Sequence, residues 1–300
     1  MVVILYNKID NTNNKNLSYL KYNSFAVFGH LVSALAMIFL LNGKDSVVIP
    51  YTESYSEWTS INTNSSCPYG SRSFDTSNGK FCIGSTTKPV SCNDDNCYGI
   101  NLGWLIISFH LLSFAFQSLA ALTNYKPILG YKYSDMIDNN KNPLRFIEYS
   151  FSASIMLIAI ALLNGVTDIN LITSIAVLTS ACQLCGLAVE FVDNYKIKWL
   201  LHLTGWLQFC WAYGIIGHAF FKSIQAANDN STPGPPDFVY IIVIVLFLLY
   251  ASFGFVQLAE LILRDKFNKY TKEKSYVLLS LTAKLVLGWM IFSNVLILSN

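Results

Sequence analysis

Seven long apolar runs constrain the fold of this chain more than any other feature of its sequence. They occupy residues 24–42, 100–123, 144–164, 168–192, 197–222, 237–263 and 275–298. Each run is close to or above the length of about 20 residues that a helix needs to cross a bilayer core. Because a bilayer core offers no water to backbone polar groups, membrane-spanning segments are helices or closed barrels. The sequence therefore predicts an all-α membrane protein, in which residues 1–300 form a single seven-helix domain.

The composition indicates a lipid environment rather than an aqueous one. Hydrophobic residues make up 53% of the chain and charged residues only 13%, whereas soluble domains carry about 25% charged residues. The formal net charge of +2 comes without a basic cluster or aromatic–basic interleaving. Nucleic acid is therefore not an expected partner, and the lipid bilayer is.

Basic residues in the short connections predict how the helices are oriented, since cytoplasmic loops carry the excess of Lys and Arg. Fourteen basic residues fall on one side of the predicted bundle: Lys8, Lys15, Lys21, Lys126, Lys132, Lys141, Arg145, Lys196, Lys198, Arg264, Lys266, Lys269, Lys272 and Lys274. The opposite side carries only Lys222 in its short connections. We therefore expect an integral, multi-pass membrane protein with a cytoplasmic N-terminus and an extracellular C-terminus.

The long loop after the first helix, residues 43–99, is predicted to form a small extracellular cap. Its Val, Ile, Tyr and Thr residues alternate with polar ones, which is typical of β-strands. The loop contains four of the seven cysteines: Cys67, Cys82, Cys92 and Cys97. An even set in an oxidising compartment indicates two disulfides, with three possible connectivities. A zinc site is the alternative, but this loop has no C-x-x-C pair and no His, so no metal is expected.

Lys284 is the most unusual residue within the apolar runs. It lies about nine residues into the last run, or roughly 13 Å deep, near the middle of a core about 30 Å thick. A cation at that depth indicates function by default, and the alternative is a lysine that snorkels to the interface. Glu148 is the best candidate partner, because it lies one and a half turns into the third run, in the same half of the membrane. The alternative for Glu148 is an interfacial pair with Arg145.

A buried Lys–Glu pair has a structural and a chemical interpretation. In the structural one, the two charges only neutralise each other. In the chemical one, the lysine condenses with an aldehyde to form a Schiff base, and the carboxylate is the counter-ion once that base is protonated. A long apolar aldehyde also needs an aromatic slot, although aromatic residues in membrane helices often serve only packing or anchoring. The candidates for the slot are Trp206, Trp211, Phe247, Tyr250, Phe253 and Trp289.

These residues resemble a retinal-binding rhodopsin, and two motifs are similar to those of the heliorhodopsins in particular. The segment RFIEYS at residues 145–150 is similar to that family's third-helix motif, and SLTAK at residues 280–284 is similar to its seventh-helix motif. The resemblance covers all seven runs. It implies a rhodopsin-like bundle with a cytoplasmic N-terminus, in agreement with the count of basic residues.

By resemblance, all-trans retinal is bound to Lys284, Glu148 is the counter-ion, and Ser280 lies beside the Schiff base. His30 matches the family's first-helix histidine, while Gln117 replaces its second-helix histidine. His110, two turns away from Gln117, is not an expected substitute. The remaining residues expected to bind the cofactor are Ser152, Trp211, Tyr250 and Trp289. The resemblance further implies a homodimer, and the signalling partner is unknown.

The expected function is light sensing with a slow photocycle and no enzymatic activity. A proton pump needs ionisable groups on both sides of the Schiff base, and Ala159 occupies the position where pumping rhodopsins carry a second acid. One alternative is a light-gated proton or cation channel. The other is a receptor or transporter without photochemistry, in which Lys284 and Glu148 form a structural pair.

Overall fold

Seven long helices and one short helix dominate the computed structural model. It describes residues 2–42, 47–61, 66–68, 71–76, 79–89, 92–93, 96–97, 99–127, 130, 132–231 and 233–297. The helices are α1 (Val2–Leu41), α2 (Leu102–Tyr125), α3 (Tyr133–Asp138), α4 (Pro143–Leu163), α5 (Ile169–Phe191), α6 (Tyr195–Asn230), α7 (Asp237–Leu263) and α8 (Lys269–Ile291), and a π-helical turn, Phe292–Leu296, continues α8.

Six of the seven long helices are long and apolar enough to cross a membrane. The long helix outside that set is α6. It is rich in Trp, Tyr, His and Gln, whose polar atoms lower the hydropathy of a segment even where the ring is buried in lipid or protein. An integral, multi-pass membrane protein follows from these six spans.

Several helices extend beyond the apolar runs that predicted them. The helix α1 begins at Val2 rather than at residue 24, α6 continues to Asn230, and α8 begins at Lys269 rather than at residue 275. An apolar run marks only the part of a helix suited to lipid, whereas the helix itself continues until a cap or a turn ends it. The short helix α3, between α2 and α4, was not predicted at all.

The start of α4 is defined by an N-cap and a proline. Asn142 is the N-cap, and its side-chain oxygen accepts a hydrogen bond from the backbone N–H of Arg145 at 3.2 Å. Pro143 occupies the first helical position, where its missing N–H costs nothing. This cap fixes where Glu148 lies along the helix.

The described part of the first loop is rich in β-structure. Strands β1 (Val48–Pro50) and β7 (Gly99–Asn101) pair antiparallel, and β2 (Thr52–Ile61), β4 (Gly79–Pro89) and β3 (Arg72–Thr76) form a sheet in the order β2-β4-β3. The two-residue strands β5 (Cys92–Asn93) and β6 (Asn96–Cys97) form a third pair.

One of the two predicted disulfides is present, between Cys67 and Cys82. The side chains of Cys92 and Cys97 lie outside the described residues. Their backbones are direct partners in the β5–β6 register, so the second disulfide remains a prediction with this pairing.

The interior of the bundle differs between its two ends. We call the end at which α4, α6 and α8 begin the charged end, and the opposite end the apolar end. Fully buried aliphatic residues fill the apolar end: Leu157, Ile160, Ile216, Ile242, Leu287 and Ile291. The buried charged residues lie toward the charged end: Arg145, Glu148, Glu190, Lys272, Glu273 and Lys284. The candidate site lies where the two regions meet.

Candidate functional site

Lys284 and Glu148 form an ion pair in the middle of the bundle. Lys284 Nζ lies 2.9 Å from Glu148 Oε1, and the two side chains are only 3% and 2% exposed. The amine also donates a hydrogen bond to Ser280 Oγ at 2.6 Å, one turn earlier on α8. Ser113 on α2 donates to the same Glu148 oxygen at 2.6 Å. The pair therefore joins α4 and α8, with one hydroxyl beside each charge.

Few other groups compensate this buried cation. The Tyr149 ring, whose centroid lies 5.1 Å from Lys284 Nζ, adds a cation–π contact. Glu148 is the only carboxylate that pairs with Lys284 among the described side chains. Removing one partner of a buried pair costs about 3–5 kcal/mol because the other charge is left uncompensated. The loss of either charge would therefore destabilise the folded protein.

A cavity that Lys284 lines lies between α4, α5, α6, α7 and α8. It encloses about 930 Å³ of empty space, including its mouth. Seven aromatic residues line it: Phe146, Tyr149, Trp206, Phe209, Tyr250, Phe253 and Tyr276. An aromatic, mainly apolar lining of this kind suits an apolar ligand whose reactive end meets Lys284.

Two glycines allow aromatic rings to form the wall of this cavity. A Cβ on Gly254 would lie 2.6 Å from Trp206 Cζ2, and one on Gly186 would lie 2.5 Å from Phe146 Cε1. Both distances are too short for carbon atoms in contact. The absence of a side chain at these two positions lets the rings of Trp206 and Phe146 pack directly on the helices.

Two buried hydroxyls on the cavity wall have no hydrogen-bond partner among the described residues: Ser152 Oγ and Tyr250 OH. A buried hydroxyl without a partner costs about 1–3 kcal/mol. Such groups are tolerated where a ligand or water completes their bonding. The cavity thus combines the volume of a binding site with polar groups that a ligand could satisfy.

The structure brings four predicted cofactor residues together at the cavity: Lys284, Ser280, Ser152 and Tyr250. Glu148 reaches the cavity through its pair with Lys284. From the wider aromatic set, Trp206 and Phe253 also line it, whereas Phe247 lies outside the lining. Sequence reasoning missed His202 and Gln257, which line the cavity and hydrogen-bond to each other at 3.1 Å.

Two predicted cofactor residues were placed wrongly. Trp211 is 64% exposed and faces away from the cavity. Trp289 lies outside the lining and donates its indole N–H to Ser33 Oγ at 3.3 Å. Each residue follows a lining residue, Trp206 or Lys284, by five positions, which rotates it about 140° around a helix of 3.6 residues per turn. The presence of an aromatic residue does not by itself show whether that residue faces the cavity or lies on another side of its helix.

The histidine assignment also requires correction. His30 on α1 and His110 on α2 are both fully buried, with their Nδ1 atoms 3.1 Å apart. The His110 ring packs against Gly288, one turn after Lys284 on α8, where a Cβ would lie 2.7 Å from His110 Nε2. His110, and not Gln117, is therefore the α2 partner of His30. The sequence does not fix how far α2 is shifted along α1.

Gln117 lies at the charged end, on a small cavity that Arg145 and Glu148 also line. It is two turns, or about 10 Å, along α2 from His110. Gln117 is therefore near the carboxylate of the pair but not beside His30.

A buried ionic cluster at the charged end was also missed. We use this term for Arg145, Glu190, Glu260, Lys272 and Glu273. Arg145 pairs with both Glu190 and Glu273, and Lys272 pairs with Glu190 at 2.9 Å and Glu260 at 3.1 Å. Glu190 and Glu260 lie near the ends of their apolar runs, where acidic residues are common. The alternative pairing of Glu148 with Arg145 does not occur among the described residues, since Arg145 faces the cluster.

Uncharged groups complete the ionic cluster. The backbone N–H of Asn142 donates to Glu190 at 2.7 Å, and its side-chain amide donates to Glu273 at 2.8 Å. The Tyr133 hydroxyl on α3 donates to Glu273 at 2.6 Å. Burial, followed by the Glu273 carboxylate, raises the pKa of Tyr133 well above its ordinary value, which keeps this hydroxyl a donor. The helix α3 therefore supplies a hydrogen-bond donor to the cluster.

Comparison with known families agrees with the geometry of the site. The family model for heliorhodopsin matches residues 20–296. This range contains every residue of the ion pair, the cavity, the histidine pair and the ionic cluster. A comparison with curated individual proteins found no match.

Proposed function

The chain belongs to the heliorhodopsin family of retinal-binding, light-sensing membrane proteins, and from this premise we propose that it is a photoreceptor with a protonated retinal Schiff base at Lys284 and Glu148 as its counter-ion. The observation that carries the proposal is the 2.9 Å ion pair at the end of an aromatic cavity. We propose all-trans retinal as the bound isomer. When bound, retinal supplies the absorption of visible light and a change of shape on isomerisation.

The residues around Lys284 determine where its proton is held. The free amine donates to both Glu148 and Ser280 in this structure. With retinal bound, the protonated Lys284 Nζ would carry a single N–H, so only one of these two bonds would persist. Glu148 is the stronger acceptor because it is charged, and Ser280 remains alongside as a neutral neighbour. Ser113 orients the carboxylate from the other side.

The histidine pair is a candidate acceptor for the proton that leaves Lys284 after illumination. His30 and His110 share one hydrogen bond through their Nδ1 atoms, and both Nε2 atoms have no partner among the described residues. A neutral imidazole with a free nitrogen can accept a proton. We therefore propose that His30 and His110 store this proton.

The apolar end favours sensing over pumping. Beyond Lys284, the described interior is formed by residues such as Leu157, Ile160, Leu287 and Ile291, with Ala159 buried among them. On that side the described interior holds no buried carboxylate, its buried basic groups are the histidines His30 and His110, and His218 is exposed rather than directed into the bundle. Because a pump needs exchangeable groups on both sides, we propose that light changes the helix packing and so biases a signalling partner.

A light-gated proton or cation channel is the second candidate, and one observation favours it. Polar groups continue from Glu148 past Arg145 to the charged end. This half of the bundle therefore has the polar side chains that a conducting path would need. Opening of the apolar end would have to supply the other half. Patch-clamp recording under illumination separates the two functions, since a photocurrent that reverses with the proton gradient contradicts the sensor without transport.

Orientation and assembly complete the proposal. The excess of basic residues at the charged end supports a cytoplasmic N-terminus and an extracellular β-rich loop. We also propose a homodimer, as the family resemblance implies. Cross-linking in intact membranes tests the dimer, and protease protection tests the orientation.

The experiment that tests the photoreceptor is an absorption spectrum after reconstitution with all-trans retinal. We expect a visible band in the wild-type protein and none in Lys284→Ala. The matched control is Lys222→Ala, which removes an exposed lysine and keeps the band. If wild type and Lys284→Ala are both colourless, or absorb alike, Lys284 and Glu148 form only a structural pair.

A further inference from the structure

A second cavity lies at the charged end, separate from the aromatic cavity. It forms where the α5–α6 and α7–α8 connections meet the residues that precede α4, and it has about 1060 Å³ of empty space, including its opening to solvent. Its lining consists of Asn140, Val189, Asp193, Tyr195, Lys198, Glu260, Leu261, Arg264, Phe267, Lys269 and Lys272. None of these residues belongs to the proposed retinal site.

Three cations on this cavity have no carboxylate partner among the described side chains: Lys198, Arg264 and Lys269. The two acids of the lining do not balance them. Glu260 is used by Lys272 and by the side-chain amide of Asn140, and Asp193 is exposed. Lys272 is itself neutralised by Glu190 and Glu260. Lys269 also donates to the backbone carbonyl of Asp138 at 2.8 Å, which is neutral. Among the described side chains, the cavity thus retains positive charge without a matching carboxylate.

Two helix N-termini add to the positive charge at this cavity, so the charge is unfavourable in the absence of an anion. Both α6 and α8 begin at the cavity, with Tyr195 and Lys269 as their first residues. A helix N-terminus carries a partial positive charge, so cations in the first turn are disfavoured. Lys198 and Lys269 nevertheless lie in the first turns of α6 and α8. An anion between them would offset both the side-chain and the helix charges.

Arg264 is held in a conformation that directs it toward the same space. Its φ of 50° lies in the left-handed region, which is uncommon for a residue with a Cβ. Its guanidinium stacks over the Tyr195 ring at 4.0 Å from the centroid. This stacking fixes the planar donor group at the cavity, where its fork of N–H groups can bind two oxygens of one anion.

We propose that this cavity binds a phosphate monoester through Lys198, Arg264 and Lys269. A phosphate group has enough oxygens and charge to engage a guanidinium fork and two ammonium groups together. The source is either the headgroup of an acidic phospholipid such as phosphatidic acid, at the membrane surface, or a soluble phosphate. The site does not depend on retinal and would couple ligand occupancy to the ends of α6, α7 and α8.

The test uses the full chain in nanodiscs and follows its thermal unfolding at constant ionic strength. In one arm the lipid is phosphatidylcholine and inorganic phosphate is titrated. In the other, phosphatidic acid replaces part of the phosphatidylcholine. A ligand that binds the folded state raises the unfolding temperature, so we expect a rise in at least one arm. A rise with phosphatidic acid alone identifies a lipid headgroup, and a rise with inorganic phosphate identifies a soluble ligand.

Matched lysine variants locate the effect. Lys198→Gln and Lys269→Gln should each weaken the apparent affinity about tenfold, as expected for the loss of one charge-assisted contact. Lys196→Gln, which removes an exposed lysine of the same helical turn outside the cavity, should leave the affinity unchanged. The proposal is wrong if neither arm stabilises the wild type, or if Lys196→Gln weakens binding as much as Lys198→Gln.

Discussion

The Lys284–Glu148 pair and the ionic cluster both join α4 to α8, and the cluster also includes α5 and α7, but the two are built in opposite ways. In the cluster, Arg145 contacts two carboxylates and Glu190 contacts two cations. In the pair, Lys284 contacts a single carboxylate and one hydroxyl. If a charge with several fixed partners moves, several of its contacts break at once. A charge with one partner, beside a cavity, can exchange that partner while the ionic cluster keeps its contacts.

The largest effect is expected from removing the centre of the ionic cluster. Arg145→Gln leaves Glu190 and Glu273 short of a buried cation, which should reduce the free energy of unfolding by about 3–5 kcal/mol. Thermal or denaturant unfolding in detergent measures the loss. Lys126→Gln, at an exposed position after α2, should change stability by less than about 0.5 kcal/mol. Equal stability of Arg145→Gln and wild type would show that the cluster is not a structural clamp.

The retinal site should respond through its spectrum. Glu148→Gln removes the one carboxylate that compensates Lys284, so we expect the absorption band to move to longer wavelength, or to leave the visible if Nζ loses its proton. Ser113→Ala is the graded control, because it removes only a hydrogen bond to Glu148 and should give a smaller shift of opposite sign. An unchanged spectrum in Glu148→Gln would place the counter-ion elsewhere.

The two regions also differ in how well the sequence predicted them. Lys284 was identified because a cation in the middle of an apolar run has no ordinary explanation. Glu190 and Glu260 lie at the ends of their runs, where acids are common, so nothing local marks them as buried. Their burial follows from α8 beginning at Lys269, six residues before the apolar run, which brings Lys272 and Glu273 inside. That extension depends on tertiary pairing, which the hydropathy of one segment does not encode.

A similar limit applies to the histidines and the aromatic slot. The sequence marks the helical segments by their length and hydropathy. Which residues meet depends on the rotation and axial shift of each helix. His110 rather than Gln117 therefore faced His30.

The cavity wall should tolerate added volume poorly, in contrast to the outer face of the same bundle. Gly254→Ala places a methyl group against Trp206, and such overpacking costs about 1–3 kcal/mol. We expect lower stability and slower uptake of retinal, measured by unfolding and by the rate at which the visible band appears. Gly214→Ala on α6 has no atom within 4 Å of the new Cβ. It should be neutral or slightly stabilising, because alanine favours a helix over glycine by about 1 kcal/mol.

The smallest expected effect is the difference between substituting a tryptophan that lines the cavity and substituting one that faces the lipid. Trp206 and Trp211 lie on the same helix, but only Trp206 lines the cavity, and its indole N–H donates to His202 at 3.0 Å. Trp206→Phe should shift the absorption band, because the ring and its hydrogen bond border the ligand. Trp211→Phe should leave both the band and the stability unchanged, since an exposed aromatic loses no buried contact. A spectral shift in Trp211→Phe that equals the shift in Trp206→Phe would mean that α6 is rotated from the position described, and the cavity wall would then have to be reassigned.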